Sequence, residues 1–244
     1  MNEDLSSLQI KPIRNNKFAH WFQEVKYNGQ TLSNEERQDL ANTLDETIEQ
    51  YSQGFPIMQN IFDHFNDEHN DLHQIYQTIV SVMIFVLITQ MDIMVASKYF
   101  ILADKDYDRR YLRGKLKVLQ NEGFKRLYGF EERTYKKSEW QKLLSIMKYF
   151  PEEINRQFQD LTFLLQKQSQ SSSWWKEERN LETHMDAVKL YYSRQEELIE
   201  SKVMMDSMKL YCSLMAVSDY LENLHTCLYN YIVDKYQRGE LRVE

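Results

Sequence analysis

Apolar residues recur along this chain mostly at three- and four-residue spacing, and no strand-like alternation runs longer than four residues. That period is the mark of helices with one buried face. Ser33 followed by Glu36 is a capping box and predicts a helix start, with the helix running to about Ser52. Gly54 and Pro56 interrupt it, and Ile57 to Phe65 continue as a second piece. Asp71 opens a helix to about Ala103 that contains the longest apolar run, Ile79 to Ile88, broken only by Ser81. The run is shorter than the ~20 residues needed to span a bilayer, so a helix buried on nearly every side is expected. Asp104-Lys105-Asp106 marks a turn.

The next helix spans about 106 to 128. Leu112, Leu116, Leu119, Gly123 and Leu127 form its buried stripe, with Arg109, Arg113 and Lys117 running beside it. Gly129 suits the residue that ends it. Ser138 caps a helix to about Tyr149, and Pro151 fits the first position of another, with Phe158, Leu161 and Leu165 on its core face. Gln166 to Ser173, a Ser/Gln-rich tract, reads as a loop. From about Leu198 to Gln237 there is neither Gly nor Pro. Met204, Met208, Tyr211, Met215, Leu221, Leu224, Leu228 and Tyr231 mark the buried stripe of this longest helix, roughly 60 Å. A helix of that length invites packing against a second subunit.

The expected fold is therefore all-α, a bundle of about six to eight helices with a long C-terminal helix. Residues 1–32 read as an N-terminal extension and 33–238 as a single helical domain. Only six glycines and three prolines in 244 residues argue against a turn-rich, sheet-rich fold. Met1-Asn2-Glu3-Asp4 begins acidic with no apolar core behind it, so no signal peptide is expected and a cytoplasmic location is. The cysteines Cys212 and Cys227 would lie about 22 Å apart on one helix, too far for a bridge, which fits a reducing compartment.

A net charge of −7 does not advertise a nucleic-acid binder, but its distribution is uneven. Lys105 to Lys142 holds 12 Lys and Arg against 6 Asp and Glu. Such a segment is either an RNA-facing patch or a solvated helix face. Trp174 and Trp175 either stack on bases or anchor the helix that follows. His64, His69 and His73 stand among acidic residues, yet no Glu-x-x-His element accompanies them, so no metal is expected. His225 sits between apolar neighbours and reads as a seam residue.

The sharpest chemical signal is Arg179-Asn180-Leu181-Glu182-Thr183-His184. Arginine grips a phosphate with two parallel hydrogen bonds, and histidine moves protons near neutral pH. Five positions apart on a regular helix the two would diverge by about 140°, so convergence needs an irregular turn or a second subunit. Arg14 to His20 is a near-match with one extra residue, at the wrong end of the chain.

An Arg-polar-x3-His motif ahead of the last helix of an all-α chain resembles the HEPN superfamily. The layout covers most of residues 34 to 237; its specific part is these six residues. The resemblance implies a homodimeric, metal-independent endoribonuclease of toxin or defence type, with no cofactor and no membrane. Its partners would be an RNA substrate and an antitoxin-type protein. Carried over by position, Arg179 stabilises phosphate charge, His184 shuttles protons and Asn180 orients the pair. Arg109, Arg113, Lys117 and Trp175 would face RNA. Thr183 departs from the small apolar residue many relatives carry, which leaves a non-catalytic HEPN-like binding or scaffold module as the alternative.

Overall fold

The structure, a computed structural model, describes residues 32–64, 71–171, 187–195, 198 and 200–239. About 90% of them are helical, with no strand among the described residues. In chain order the helices are α1 (Asn34–Ser52), α2 (Gly54–His64), α3 (Asp71–Leu102), α4 (Asp106–Leu127), α5 (Glu132–Tyr135), α6 (Glu139–Ile146), α7 (Glu152–Ser171), α8 (Ala187–Gln195) and α9 (Glu200–Gln237). A 3-10 turn, Met147–Tyr149, extends α6. The expected all-α bundle with a long last helix is thus the fold.

Local chemistry sets the ends. Ser33 Oγ accepts from the Glu36 amide at 3.2 Å, and Glu36 returns a bond to the Ser33 amide at 2.7 Å, which satisfies two orphan donors at the start of α1. Ser138 caps α6 through the Gln141 amide. Gly129 follows α4 at φ 91°, and its amide reaches back to Phe124 O at 3.1 Å. Only a residue without Cβ sits there freely, since an added Cβ would lie 2.5 Å from the Tyr135 nitrogen.

The core forms around α3, which packs against α1, α2, α4, α6 and α9. Leu72, Tyr76, Ile79 and Val80 on α3 are fully buried with Leu214, Tyr220 and Leu224 on α9. Trp140 of α6 stacks on Phe158 of α7 at 4.5 Å and donates to Thr162 Oγ1 at 2.9 Å. Its indole thus buries apolar area without orphaning its N–H. Leu72–Leu102 is long and apolar enough to cross a membrane by length and composition, and within this fold it is the hub of the bundle.

Two expectations need correction. Gln166 to Ser171 is not a loop but the last turns of α7. Ser169 Oγ bonds to Gly129 O at 3.0 Å, so docking on the turn after α4 keeps this polar tract helical. The buried line of α9 also shifts in its first half, to Leu210, Leu214 and Val217, while Met208 is 44% exposed. Tyr211 and Met215 are half-buried on a second face, where Tyr51 Oη meets Met215 Sδ at 3.7 Å. From Leu221 to Leu228 the expected stripe is the buried one.

Candidate functional site

Arg179, Asn180, His184 and Trp175 lie outside the described residues, as do Trp174, His69, and Arg14 to His20. What is described begins three residues beyond His184, at Ala187, where α8 starts. The placement of α8 therefore sets what the motif's downstream end is attached to.

Helix α8 is attached to α4. Arg113 Nη2 donates to Ser193 O at 2.6 Å, and Arg110 Nη1 donates to Arg194 O at 2.5 Å. Both acceptors lie in the last turn of α8, where carbonyls have no intrahelical partner and a cation meets the negative end of the helix dipole. Asp106 Oδ2 holds the Arg110 Nε at 2.7 Å. Arg113 is only 6% exposed, and charged hydrogen bonds justify that burial. The Arg194 guanidinium in turn lies 5.8 Å from the centre of the Tyr111 ring.

The cation row singled out in the sequence is thus distributed unevenly. Arg109 donates through Nε to Ala103 O, which fixes the turn between α3 and α4. Arg113 faces inward onto α8. Lys117 is half-buried one turn further along. Arg110, which sequence reasoning passed over, is the second clamp on α8. Its i,i+4 partner Asp106 was the available signal.

The rest of the basic segment closes a hollow of about 490 Å³ where α4, α5 and α6 meet. Lys125, Arg126, Arg133, Lys137 and Lys142 line it with Glu122, Glu139 and Thr134. Glu139 is 3% exposed and accepts from Arg126 Nε at 3.2 Å and Lys142 Nζ at 2.6 Å. Arg126 also covers the Phe85 ring at 5.2 Å. Lys125 pairs with Glu122 at 3.3 Å. Five cations against two carboxylates leave the hollow positive, with Arg133 and Lys137 exposed at its rim. Such a site attracts phosphate oxygens by charge and offers donors to bind them.

A second titratable pair stands apart from both. Tyr76 Oη lies 2.6 Å from His225 Nε2, with the rings 5.3 Å apart, and the Tyr229 ring stacks on the imidazole at 6.3 Å. Burial lowers the His225 pKa and pushes Tyr76 up to about 12. A neutral imidazole accepting from a protonated phenol satisfies both groups. The pair therefore holds the α3–α9 seam, as the apolar neighbours of His225 suggest. Cys212 and Cys227 are free thiols on α9, both raised in pKa by burial. Among the described residues no three His, Cys, Asp or Glu side chains are grouped to hold a metal ion.

Comparison with protein-family models finds no match, and comparisons with curated proteins and with solved structures find none.

Proposed function

We propose that this chain is a HEPN-like homodimeric endoribonuclease that needs no metal, with Arg179 and His184 as the cleaving pair. The observation that carries the proposal is the double clamp of Arg110 and Arg113 on α8. It ties the helix that begins three residues after His184 to the most basic helix of the bundle. Positive charge on α4 and in the hollow around Glu139 would draw an RNA strand to this chain. The all-α architecture and the long last helix support the same assignment.

In the proposed reaction His184 takes the proton of a ribose 2′-hydroxyl, whose oxygen attacks the adjacent phosphorus. The P–O5′ bond breaks, and the 5′ oxygen leaves with a proton from a second acid, the other subunit's histidine in a shared cleft. The products carry a 2′,3′-cyclic phosphate and a 5′-hydroxyl. Arg179 stabilises the charge that builds on the phosphate oxygens, and Asn180 orients the pair. An antitoxin-type protein would restrain this activity, and cytoplasmic RNA would be its substrate.

A second reading has its own support. Arg110 and Arg113 bond to backbone carbonyls of α8, a structural use that would equally suit a non-catalytic HEPN-like scaffold module. Incubation of the purified protein with RNA in EDTA separates the two. Cleavage that disappears in Arg179→Ala and His184→Ala supports the nuclease; intact RNA with the wild type supports the scaffold.

A further inference from the structure

Exposed aromatic residues concentrate where α4 and α8 meet. Tyr107 is 73% exposed, Tyr111 46%, Tyr191 62% and Tyr192 67%. Tyr107 and Tyr111 are four apart on α4, so they share a face. Tyr191 stands three before Arg194 on α8, and Arg194 lies over the Tyr111 ring. Tyr191 and Tyr192 meet edge to face at 5.7 Å. Lys115 also approaches the Tyr111 ring, with its Nζ 5.1 Å from the centroid. The four rings and their cations thus follow one path from α4 onto α8.

Rings left this open are a poor solution for a surface with no ligand, because apolar area gains nothing from water. A single base has a flat apolar face to stack on such rings and a phosphate to reach the adjacent cation. Lys115, Lys189 and Arg194 supply positive charge along the path, and the nearby Asp106 is already occupied by Arg110. A duplex cannot use the platform, because its bases are already stacked on one another.

We infer that Tyr107, Tyr111, Tyr191 and Tyr192 form a stacking platform for unpaired bases of single-stranded RNA. As a route to Arg179 and His184 it rests on the proposed function; as a binding site it does not. Binding is measured by fluorescence anisotropy with labelled 2′-O-methyl oligouridylate, which cannot be cut by the proposed chemistry. Its duplex with 2′-O-methyl oligoadenylate and inorganic polyphosphate serve as comparisons. The wild type binds the single strand more tightly than the duplex. Tyr191→Ala/Tyr192→Ala loses roughly tenfold or more in affinity for the single strand. It keeps its affinity for polyphosphate, and its circular dichroism is unchanged. Tyr191→Phe/Tyr192→Phe binds like the wild type, because stacking needs the ring and not the hydroxyl.

Failure to bind the single strand, equal binding by the Ala variant, or equal losses in the Ala and Phe variants would each overturn the platform. A wild type that cuts RNA while its Ala variant binds normally retires the platform alone. A wild type that cuts nothing but shows the Tyr-dependent binding retires the nuclease and leaves the platform standing.

Discussion

The Arg113 guanidinium donates to the backbone carbonyl of Ser193 at 2.6 Å, across 80 residues of sequence. One charged side chain thereby joins the basic helix α4 to the helix that follows the Arg179–His184 motif. Arg113→Ala should leave α8 held by Arg110 alone, loosening it at a cost of about 1.5–3 kcal/mol, the usual scale for a charged hydrogen bond. Arg113→Lys should recover only part of this, since a single ammonium cannot keep the planar geometry of the guanidinium. Hydrogen exchange across residues 187–195 reads the effect directly. Protection there should fall more than in α6, which the clamp does not touch.

Gly123 lets α4 approach α9. A Cβ placed on it would lie 2.6 Å from Leu210 Cδ2 and 3.1 Å from Thr89 Cγ2. Alanine is the better helix former by about 1 kcal/mol, yet overpacking costs about 1–3 kcal/mol, so Gly123→Ala should be destabilising on balance. Adding Leu210→Ala should cost less in the Gly123→Ala protein than in the wild type. Chemical denaturation of the four proteins measures that coupling.

Acid should weaken the fold through His225. Its pKa in the folded state is lowered by burial, so the unfolded chain binds the proton more readily. This contribution is intact above pH ~6.5 and is lost as pH falls from there through the depressed folded value. Protonation would also remove the acceptor that faces Tyr76 Oη. Thermal unfolding between pH 7.5 and 5 should show a decline that His225→Gln flattens. Parallel curves for the two proteins would assign the acid sensitivity to other groups.

Much of the fold was legible because its signals are local. Ser33 and Glu36 form the capping box that their spacing announces, and Gly129 takes the left-handed conformation its place after α4 suggests. Gln166 to Ser171 was misread because its helicity comes from outside, through the Ser169 bond to Gly129. Arg113 was placed beside the apolar stripe of α4, and its burial likewise comes from outside the helix. Periodicity identifies the apolar stripe, but it is silent on which helix lands beside that stripe, and α8 does. The aromatic path was half visible, since Tyr107, Tyr111 and Lys115 repeat every four residues. Its other half, on α8, comes together only through the tertiary clamp.

The hollow around Glu139 should contribute charge rather than sequence preference. Replacing Arg133 and Lys137 by Glu should leave stability nearly unchanged, since both are exposed at the rim. RNA affinity should drop, and its dependence on salt should flatten by about 0.7 per lost phosphate contact in a log–log plot. An unchanged salt slope would place the RNA elsewhere.

Cleavage of single-stranded RNA in excess EDTA is the most direct measurement of what this chain does. The wild type should cut and leave 2′,3′-cyclic phosphate ends. DNA of the same sequence should stay intact, since it lacks the attacking hydroxyl. His184→Ala should lose roughly 10²-fold or more in rate, and Arg179→Lys should not restore what Arg179→Ala removes. Undiminished cutting by the Arg179→Ala/His184→Ala protein, or no cutting by the wild type, would contradict the account.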